Sequence, residues 1–217
     1  MSPIDPSIEL SSVYPAHIIS QHRTTRWQAH APPCILGAMT LALCIVGCGS
    51  YARSVLDDIH DMTEDILLFY ASRDIEKAKS YLDTFGGAGC FGSYEEAAGD
   101  PRVEALYFLT PHDLHLENAL LATRHRKHIL VEKPIARTIS EGRQMVRAAG
   151  DAGVTLMVAE NYRFLPTVEE CKRLLEQRAI GELRLIQVQS EAYAETSGWR
   201  TSAAITGGRC SLAYPSL

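Results

Sequence analysis

Apolar runs alternate with amphipathic segments over most of the chain. The runs predict strands at residues 41–46 (LALCIV), 66–71 (ILLFYA), 105–110 (ALYFLT), 128–132 (HILVE) and 154–159 (VTLMVA), with a brief strand near Cys90–Phe91. Because these runs are almost continuously apolar, both faces of each predicted strand are buried. With helices between them and right-handed crossovers, the sequence predicts an α/β fold with a doubly wound parallel sheet.

The segments between the strands carry the features of helix starts. Helices are predicted at residues 50–61 and 74–85, and Pro111 suits the first turn of the helix after the third long strand. Ser93 and Thr138 each stand three residues before a glutamate, which is the spacing of a capping box. The helix after Thr138 is predicted to bury one face, formed by Gly142, Met145, Val146 and Ala149.

The turn after the first strand reads Gly47-Cys48-Gly49-Ser50-Tyr51-Ala52, which is G-x-G-x-x-A. The first glycine permits a tight turn, the second lets a pyrophosphate approach the backbone, and the alanine lets the helix pack closely on the strand. The helix N-terminus beyond it offers free N–H groups and positive dipole to the phosphates. Gly47, Gly49, Ser50, Tyr51 and Ala52 are therefore predicted to bind a dinucleotide.

The end of the second strand decides which dinucleotide is bound. An acidic residue there holds the ribose 2′-hydroxyl of NAD, whereas an arginine suits the 2′-phosphate of NADP. The chain has Ser72 and Arg73, followed by Asp74 in a position to cap the next helix. NADP is favoured over NAD, and the alternative is that Arg73 is a solvated surface residue.

The segment HILVEKP ends a buried strand on a carboxylate, an amine and a proline, Glu132, Lys133 and Pro134. In a doubly wound sheet, ligands lie at the carboxyl ends of the strands. Successive extended residues point to opposite faces, so one of the two charged side chains can face the cofactor while the other braces the strand end. An amine at this place can exchange a proton with a hydroxyl or carbonyl group. The alternative is a charged pair that ends a strand at the surface.

Five segments, IVGCGSYA, ASRDIEKA, FLTPHDLHLENAL, HILVEKPIA and AENYRFLP, together resemble the Gfo/Idh/MocA oxidoreductases over residues 40–208. The resemblance implies an N-terminal Rossmann domain and a C-terminal α/β domain whose open sheet forms the substrate wall and an oligomer interface. It implies NADP or NAD as cofactor, a small-molecule sugar, cyclitol or related substrate, and a homo-oligomer for the full-length family member.

Several residue roles follow from the resemblance. Lys133 matches the family lysine beside nicotinamide and substrate, and Glu132 matches its cofactor-side neighbour. The turn that lines the cofactor is matched by Thr110, Pro111, His112 and His115, and the N-x-R-F turn into the second domain is matched by Asn161 and Arg163. No third ligand stands near the two histidines, so no metal is expected.

The predicted domain organisation has three parts. Residues 1–38 show no sustained periodicity of apolar residues and are interpreted as a poorly structured extension, with Met39 as an alternative start of the chain. Residues 39–160 form the dinucleotide-binding domain. Residues 161–217 begin an incomplete substrate and oligomerisation domain, with a helix at 167–180 and an alternating strand at 183–193 that places Leu183, Leu185 and Gln187 on one face.

Composition excludes some classes of protein. The 217 residues are 46% hydrophobic with a net charge of −5 and contain no basic stripe, so a nucleic-acid partner is not expected. The six cysteines form no C-x-x-C pair, which favours a reducing, cytoplasmic setting.

An uncharged stretch from Ala31 to Ala52 leaves a secretion or membrane-anchor alternative open, with Cys48 as a lipidated residue. The acidic Asp5 and Glu9 upstream and the glycines inside the stretch argue against it, so no membrane partner is expected.

The resemblance ends after Gly208. The family continues with G-x-L-x-D-x-G-x-H, whereas this chain reads Arg209-Cys210 and ends in SLAYPSL, without an acid or a histidine. We interpret residues 209–217 as the product of a frame shift or a truncated gene. Two hypotheses remain: an NAD(P)-dependent dehydrogenase with Lys133 as proton shuttle, or a non-catalytic remnant that at most binds the dinucleotide.

Overall fold

The structure is a computed structural model that describes residues 40–59, 62, 64–187 and 198–207. Six parallel strands form one sheet: β1 Leu41–Val46, β2 Ile66–Ala71, β3 Gly89–Phe91, β4 Ala105–Phe108, β5 His128–Val131 and β6 Leu156–Val158. Their order is β3-β2-β1-β4-β5-β6, with the direction of winding reversing between β1 and β4. This confirms the doubly wound sheet predicted from the apolar runs, and it places a ligand crevice at the carboxyl ends of β1 and β4.

Seven α-helices are described: α1 Ser50–Ile59, α2 Ile75–Phe85, α3 Tyr94–Gly99, α4 His115–Arg124, α5 Ile139–Ala152, α6 Pro166–Glu176 and α7 Ala203–Thr206. Short 3-10 helices cover His112–Leu114, Asn161–Phe164 and Gly198–Thr201. The predicted capping residues Ser93 and Thr138 both accept a hydrogen bond from the backbone N–H three residues on. Local side-chain chemistry therefore sets the starts of α3 and α5.

The sheet is covered on both faces by separate apolar clusters. Val46, Phe108 and Met145 belong to the cluster on the α3, α4 and α5 side. Ile45 and Leu56 belong to the cluster on the α1 and α2 side. Neighbouring residues of β1 thus point to opposite faces and both are fully buried, which is why its sequence is apolar throughout.

Two details of the predicted pattern are wrong. Val146 is 58% exposed, whereas Met145 and Ala149 are buried, so the buried face of α5 is narrower than predicted. Residues 183–187 form no strand, and Leu185 is 79% exposed. A strand requires a partner for its backbone N–H and C=O groups, and none of the described residues pairs with this segment.

Other predictions fall on residues outside the described ones: the extension at 1–38, the alternative start at Met39, the end of the first helix at residues 60–61, the strand at 188–193 and the tail at 209–217. Within residues 40–59, 62, 64–187 and 198–207, no helix is long and apolar enough to cross a membrane. Residues 41–46 of the uncharged stretch form the central strand β1.

The segment of residues 198–207 packs against the loops at the carboxyl ends of β4 and β5. The Trp199 ring lies edge-on to the His112 ring, with 4.8 Å between their centroids. The Arg137 guanidinium donates to the Ala204 carbonyl oxygen at 3.0 Å. Gly207 has φ +82°, and an added Cβ would lie 2.6 Å from the Arg137 carbonyl oxygen, so only glycine fits.

Candidate functional site

Gly47 is the residue at which β1 turns toward α1. Its φ of +102° is one that side chains with a Cβ rarely adopt, and a Cβ would lie 3.1 Å from the Leu109 carbonyl oxygen and 3.2 Å from the Thr110 methyl carbon. Its N–H donates to the Ala71 carbonyl oxygen at 2.9 Å. Gly47 therefore draws together the ends of β1, β2 and β4.

Gly49 faces open space. No atom lies within 4 Å of the position that a Cβ would occupy, and its carbonyl oxygen accepts a hydrogen bond from the Tyr81 hydroxyl at 2.8 Å. Ser50 and Tyr51 open α1 at the surface, while Ala52 is 1% exposed and lets α1 pack on the sheet. The first turn of α1 contains no acidic residue. The Gly49 and Ala52 N–H groups donate within the turn, to the Gly47 and Gly49 carbonyl oxygens. The open space beside Gly49, at the N-terminus of α1, fits the pyrophosphate of a dinucleotide.

The end of β2 carries a cation rather than an available acid. Asp74 caps α2, since its carboxylate accepts from the Glu76 N–H at 3.1 Å. Ser72 is 7% exposed, and its hydroxyl accepts from the Asp74 N–H at 3.2 Å. Arg73 is exposed beside Tyr94: burial raises the pKa of Tyr94, and the Arg73 guanidinium acts in the opposite direction. The end of β2 therefore presents an exposed arginine and no available carboxylate, at the strand end that holds the adenosine ribose in dinucleotide-binding folds.

Lys77 is a candidate that sequence reasoning missed. It lies in the first turn of α2, exposed to solvent. Burial raises the pKa of the Cys48 thiol to about 11, whereas the Lys77 ammonium acts in the opposite direction, so its positive charge contributes to the electrostatics of the glycine turn. Its spacing of four residues from Arg73 is the only sequence signal that would have found it.

The turn after β4 contains the predicted Thr110, Pro111 and His112. Thr110 is 5% exposed, and its hydroxyl accepts a hydrogen bond from the Asn118 side chain at 2.9 Å. Pro111 directly precedes the short helix that begins at His112, and the His112 ring is 9% exposed beneath Trp199. Thr110 and Pro111 thus border the crevice, and His112 supports the segment that packs over it.

His115 lies beneath the crevice and not in its wall. Its ring is fully buried, with Nε2 3.1 Å from the Thr110 carbonyl oxygen and Nδ1 3.0 Å from the Pro134 carbonyl oxygen. The ring therefore connects the turn after β4 to the turn after β5. A direct contact between His115 and a cofactor does not fit this burial, and its role is one of support.

The buried His115 ring makes stability depend on pH. Burial lowers the pKa of His115 below its usual 6.5, while the carbonyl oxygens around it and Glu132 act in the opposite direction. The folded chain therefore binds this proton less readily than the unfolded chain, so stability is complete above about pH 6.5 and decreases as the pH falls toward the folded value.

We expect His115→Gln to flatten this dependence. Urea unfolding at about pH 5.5 and about pH 7.5 measures it, and the parent is expected to lose more stability than the variant between the two. Parallel losses in both proteins would assign the pH dependence to other groups.

The E-K-P turn follows β5 directly. Glu132 is 9% exposed; its carboxylate accepts a hydrogen bond from the Tyr107 hydroxyl at 2.5 Å and another from the Lys133 N–H at 3.2 Å. Burial, and then the hydrogen bond to Glu132, raise the pKa of Tyr107, so that its hydroxyl remains a donor. The Lys133–Pro134 peptide bond is cis. The prediction that the two charged side chains serve different purposes matches their different contacts.

Lys133 extends toward the next turn of the chain. Its ammonium lies 5.8 Å from the centre of the Tyr162 ring, a distance at which a cation and an aromatic ring attract. Tyr162 was not predicted from the sequence, whereas its neighbours Asn161 and Arg163 were, and these two are exposed in the same 3-10 helix. The N-x-R-F turn therefore lies next to Lys133, and its tyrosine, Tyr162, makes the contact.

These residues meet at one edge of the sheet, and the comparisons with known proteins agree with that arrangement. A family model described as an oxidoreductase family with an NAD-binding Rossmann fold, Gfo/Idh/MocA, matches residues 41–160. The chain belongs to the Gfo/Idh/MocA oxidoreductase family.

Relatives within this family include dehydrogenases of small hydroxylated molecules. The chain is 37% identical over 119 residues to the trans-1,2-dihydrobenzene-1,2-diol dehydrogenase of Xenopus laevis, which covers 55% of this chain and 36% of that protein. Levoglucosan dehydrogenase in complex with NADH and levoglucosan has a TM-score of 0.59 and 30% identity, over 66% of this chain and 41% of that one.

A second solved structure contains the other dinucleotide. A variant of a 3-ketoreductase from Actinomadura kijaniata, in complex with TDP-benzene and NADP, has a TM-score of 0.60 and 26% identity, over 67% of this chain and 45% of that one. The Gfo/Idh/MocA chain described here spans less than half the length of each of these three proteins.

Proposed function

We propose that this Gfo/Idh/MocA chain is the dinucleotide-binding part of an NAD(P)-dependent oxidoreductase that transfers a hydride between nicotinamide and a sugar, cyclitol or related hydroxylated substrate. The observation that carries the proposal is that the Gly47–Ala52 turn and the Glu132–Pro134 turn lie at the carboxyl ends of β1 and β5 in one sheet. One turn fits the phosphates and the other presents an amine in the nicotinamide half.

Lys133 acts as the proton shuttle in this proposal. The dinucleotide, when bound, supplies or accepts the hydride. When an alcohol is oxidised, its hydroxyl proton passes to the Lys133 amine; in the reverse direction the ammonium returns the proton to the carbonyl oxygen. The contact with Tyr162 restricts the rotamers of the lysine, and Glu132 holds the backbone N–H of Lys133.

The substrate class rests on the relatives. The names of the Xenopus laevis relative and of levoglucosan dehydrogenase both describe oxidation of small molecules that carry hydroxyl groups. A polyol fits a lysine shuttle because each of its secondary alcohols offers one proton and one hydride. We further propose that the protein is a homo-oligomer, which is supported by the exposed apolar side chains Ile180, Leu185 and Ile186. We also propose a reducing, cytoplasmic setting, which is supported by the cysteines without a disulfide among the described residues.

We propose NADP as the preferred dinucleotide. Arg73 and Lys77 supply two positive charges beside the position of the adenosine ribose, and Asp74 is engaged as the cap of α2. A 2′-phosphate gains charge-assisted hydrogen bonds from such side chains, whereas a 2′-hydroxyl gains little.

Arg73→Ala tests this preference. We expect the variant to bind NADPH about ten- to a hundredfold more weakly and NADH almost as well as the parent, because only NADPH has a phosphate for the guanidinium. Fluorescence titration of NADPH and NADH measures both affinities. Arg147→Ala, which removes an exposed arginine of α5, is the matched control. Equal weakening of both dinucleotides would contradict the 2′-phosphate assignment.

A further inference from the structure

Glu132 is a buried carboxylate held by neutral donors. Its two oxygens accept from the Tyr107 hydroxyl and the Lys133 backbone N–H. Among the described residues, no lysine, arginine or histidine forms an ion pair with it. The Lys133 ammonium is directed to the Tyr162 ring instead. The carboxylate is therefore without a cationic partner in this part of the chain.

A buried carboxylate without a cationic partner favours the binding of a cation next to it. Removing a carboxylate from water costs free energy that hydrogen bonds offset only in part. The 2.5 Å bond from Tyr107 stabilises the carboxylate without neutralising it. A positive charge in the adjacent crevice then gains an attraction that is little screened by water.

The place of Glu132 in the sheet identifies that cation. Glu132 follows β5, and its N–H donates to the carbonyl oxygen of Phe108, the last residue of β4. These two strands form the half of the sheet opposite to β2, where Arg73 marks the adenosine end. The nicotinamide end of a bound dinucleotide therefore belongs to the half that contains Glu132. The nicotinamide ring carries a positive charge when oxidised and none when reduced.

We propose that Glu132, held in place by Tyr107, favours the oxidised over the reduced dinucleotide. This inference rests on the proposed function and adds the direction of the redox reaction that the protein favours. Tighter binding of the oxidised form makes the bound couple more reducing, so the equilibrium on the protein shifts toward reduction of a carbonyl substrate. Tyr107 acts as a positioning residue, because it touches the carboxylate and not the reacting atoms.

Calorimetric titration of the full chain with NADP⁺, NADPH and adenosine 2′,5′-bisphosphate tests this role. In Glu132→Gln, the ratio of the dissociation constant of NADP⁺ to that of NADPH is expected to rise about tenfold. A tenfold change in this two-electron couple corresponds to about 30 mV in the potential of the bound dinucleotide. Binding of the bisphosphate, which has no nicotinamide, is expected to stay unchanged and so shows that the variant is folded.

Tyr107→Phe tests the positioning of the carboxylate. It keeps the negative charge but removes the hydrogen bond that holds it, so the ratio of the NADP⁺ to the NADPH dissociation constant is expected to rise, by less than in Glu132→Gln, while binding of the bisphosphate stays unchanged. If Glu132→Gln weakens the binding of NADP⁺ and NADPH equally, the charge of the carboxylate does not distinguish the two forms and the proposal is overturned. If Glu132→Gln loses the bisphosphate as well, Tyr107→Phe decides, and a ratio of dissociation constants equal to that of the parent overturns the proposal. A parent chain that binds none of the three ligands would overturn the NADP preference, and a parent chain that also fails to bind NADH would overturn the proposed function itself.

Discussion

Replacing Lys133 by alanine is expected to lower kcat/KM for oxidation of a polyol about 10²–10⁴-fold, which is the usual contribution of a positioned acid or base. The affinity for NADPH is expected to remain near that of the parent, because most of the proposed dinucleotide contacts lie in the Gly47–Ala52 turn and at Arg73 and Lys77 after β2. Steady-state kinetics with trans-dihydrodiol or levoglucosan and NADP⁺, combined with NADPH titration, measure the two effects separately.

A primary amine added to the medium distinguishes proton transfer from packing. Lys133→Ala removes the ammonium that lies 5.8 Å from the centre of the Tyr162 ring, so methylamine is expected to take its place and to restore part of the turnover as its concentration increases. Lys172→Ala removes a lysine of α6 whose side chain is exposed, and it serves as the matched control. Loss of NADPH binding in Lys133→Ala would make the lysine a binding residue. A parent chain that binds NADPH and oxidises neither substrate would favour the non-catalytic alternative.

The parts of the fold that sequence predicted are those determined by neighbouring residues. β1 is buried on both faces after its first residue and β2 over its last three residues, and both are apolar at every position, so their limits follow from the sequence alone. Ser93 and Thr138 cap helices through side-chain bonds to residues three positions away. Gly47 and the turn that it begins were predicted in the same way, because the G-x-G-x-x-A pattern involves only neighbouring residues.

The details that sequence did not predict depend on distant contacts. Tyr107 meets Glu132 across 25 residues, and His115 meets Pro134 across 19, so neither pair has a local signature. The sequence of the turn from Thr110 to His115 does not indicate that its second histidine is buried. Alternation from Leu183 onward resembles a strand, but a strand also needs a neighbour, which local pattern does not supply. Val146 has the right period but lies at the margin of the buried face of α5.

Gly47→Ala is expected to destabilise the fold and to abolish measurable dinucleotide binding. A residue with a Cβ at φ +102° costs about 1–3 kcal/mol, and the 3.1 Å approach of that Cβ to the Leu109 carbonyl oxygen adds to this cost. Because Gly47 also joins β1 to the end of β2 through its bond to Ala71, the strain displaces the whole turn. Urea unfolding and NADPH titration measure the two losses.

Gly49→Ala is the matched comparison, because it adds the same methyl group two residues away, where no atom lies within 4 Å. The folded chain accommodates that Cβ, so stability is expected to stay within about 1 kcal/mol of the parent, the usual cost of a compatible glycine replacement. The same methyl group occupies the space in which a pyrophosphate approaches the backbone, so NADPH affinity is expected to fall nonetheless. If Gly47→Ala loses stability and Gly49→Ala loses only NADPH affinity, then Gly47 is required for the conformation of the turn and Gly49 for the approach of the phosphates. A Gly49→Ala variant that binds NADPH as tightly as the parent would place the pyrophosphate elsewhere.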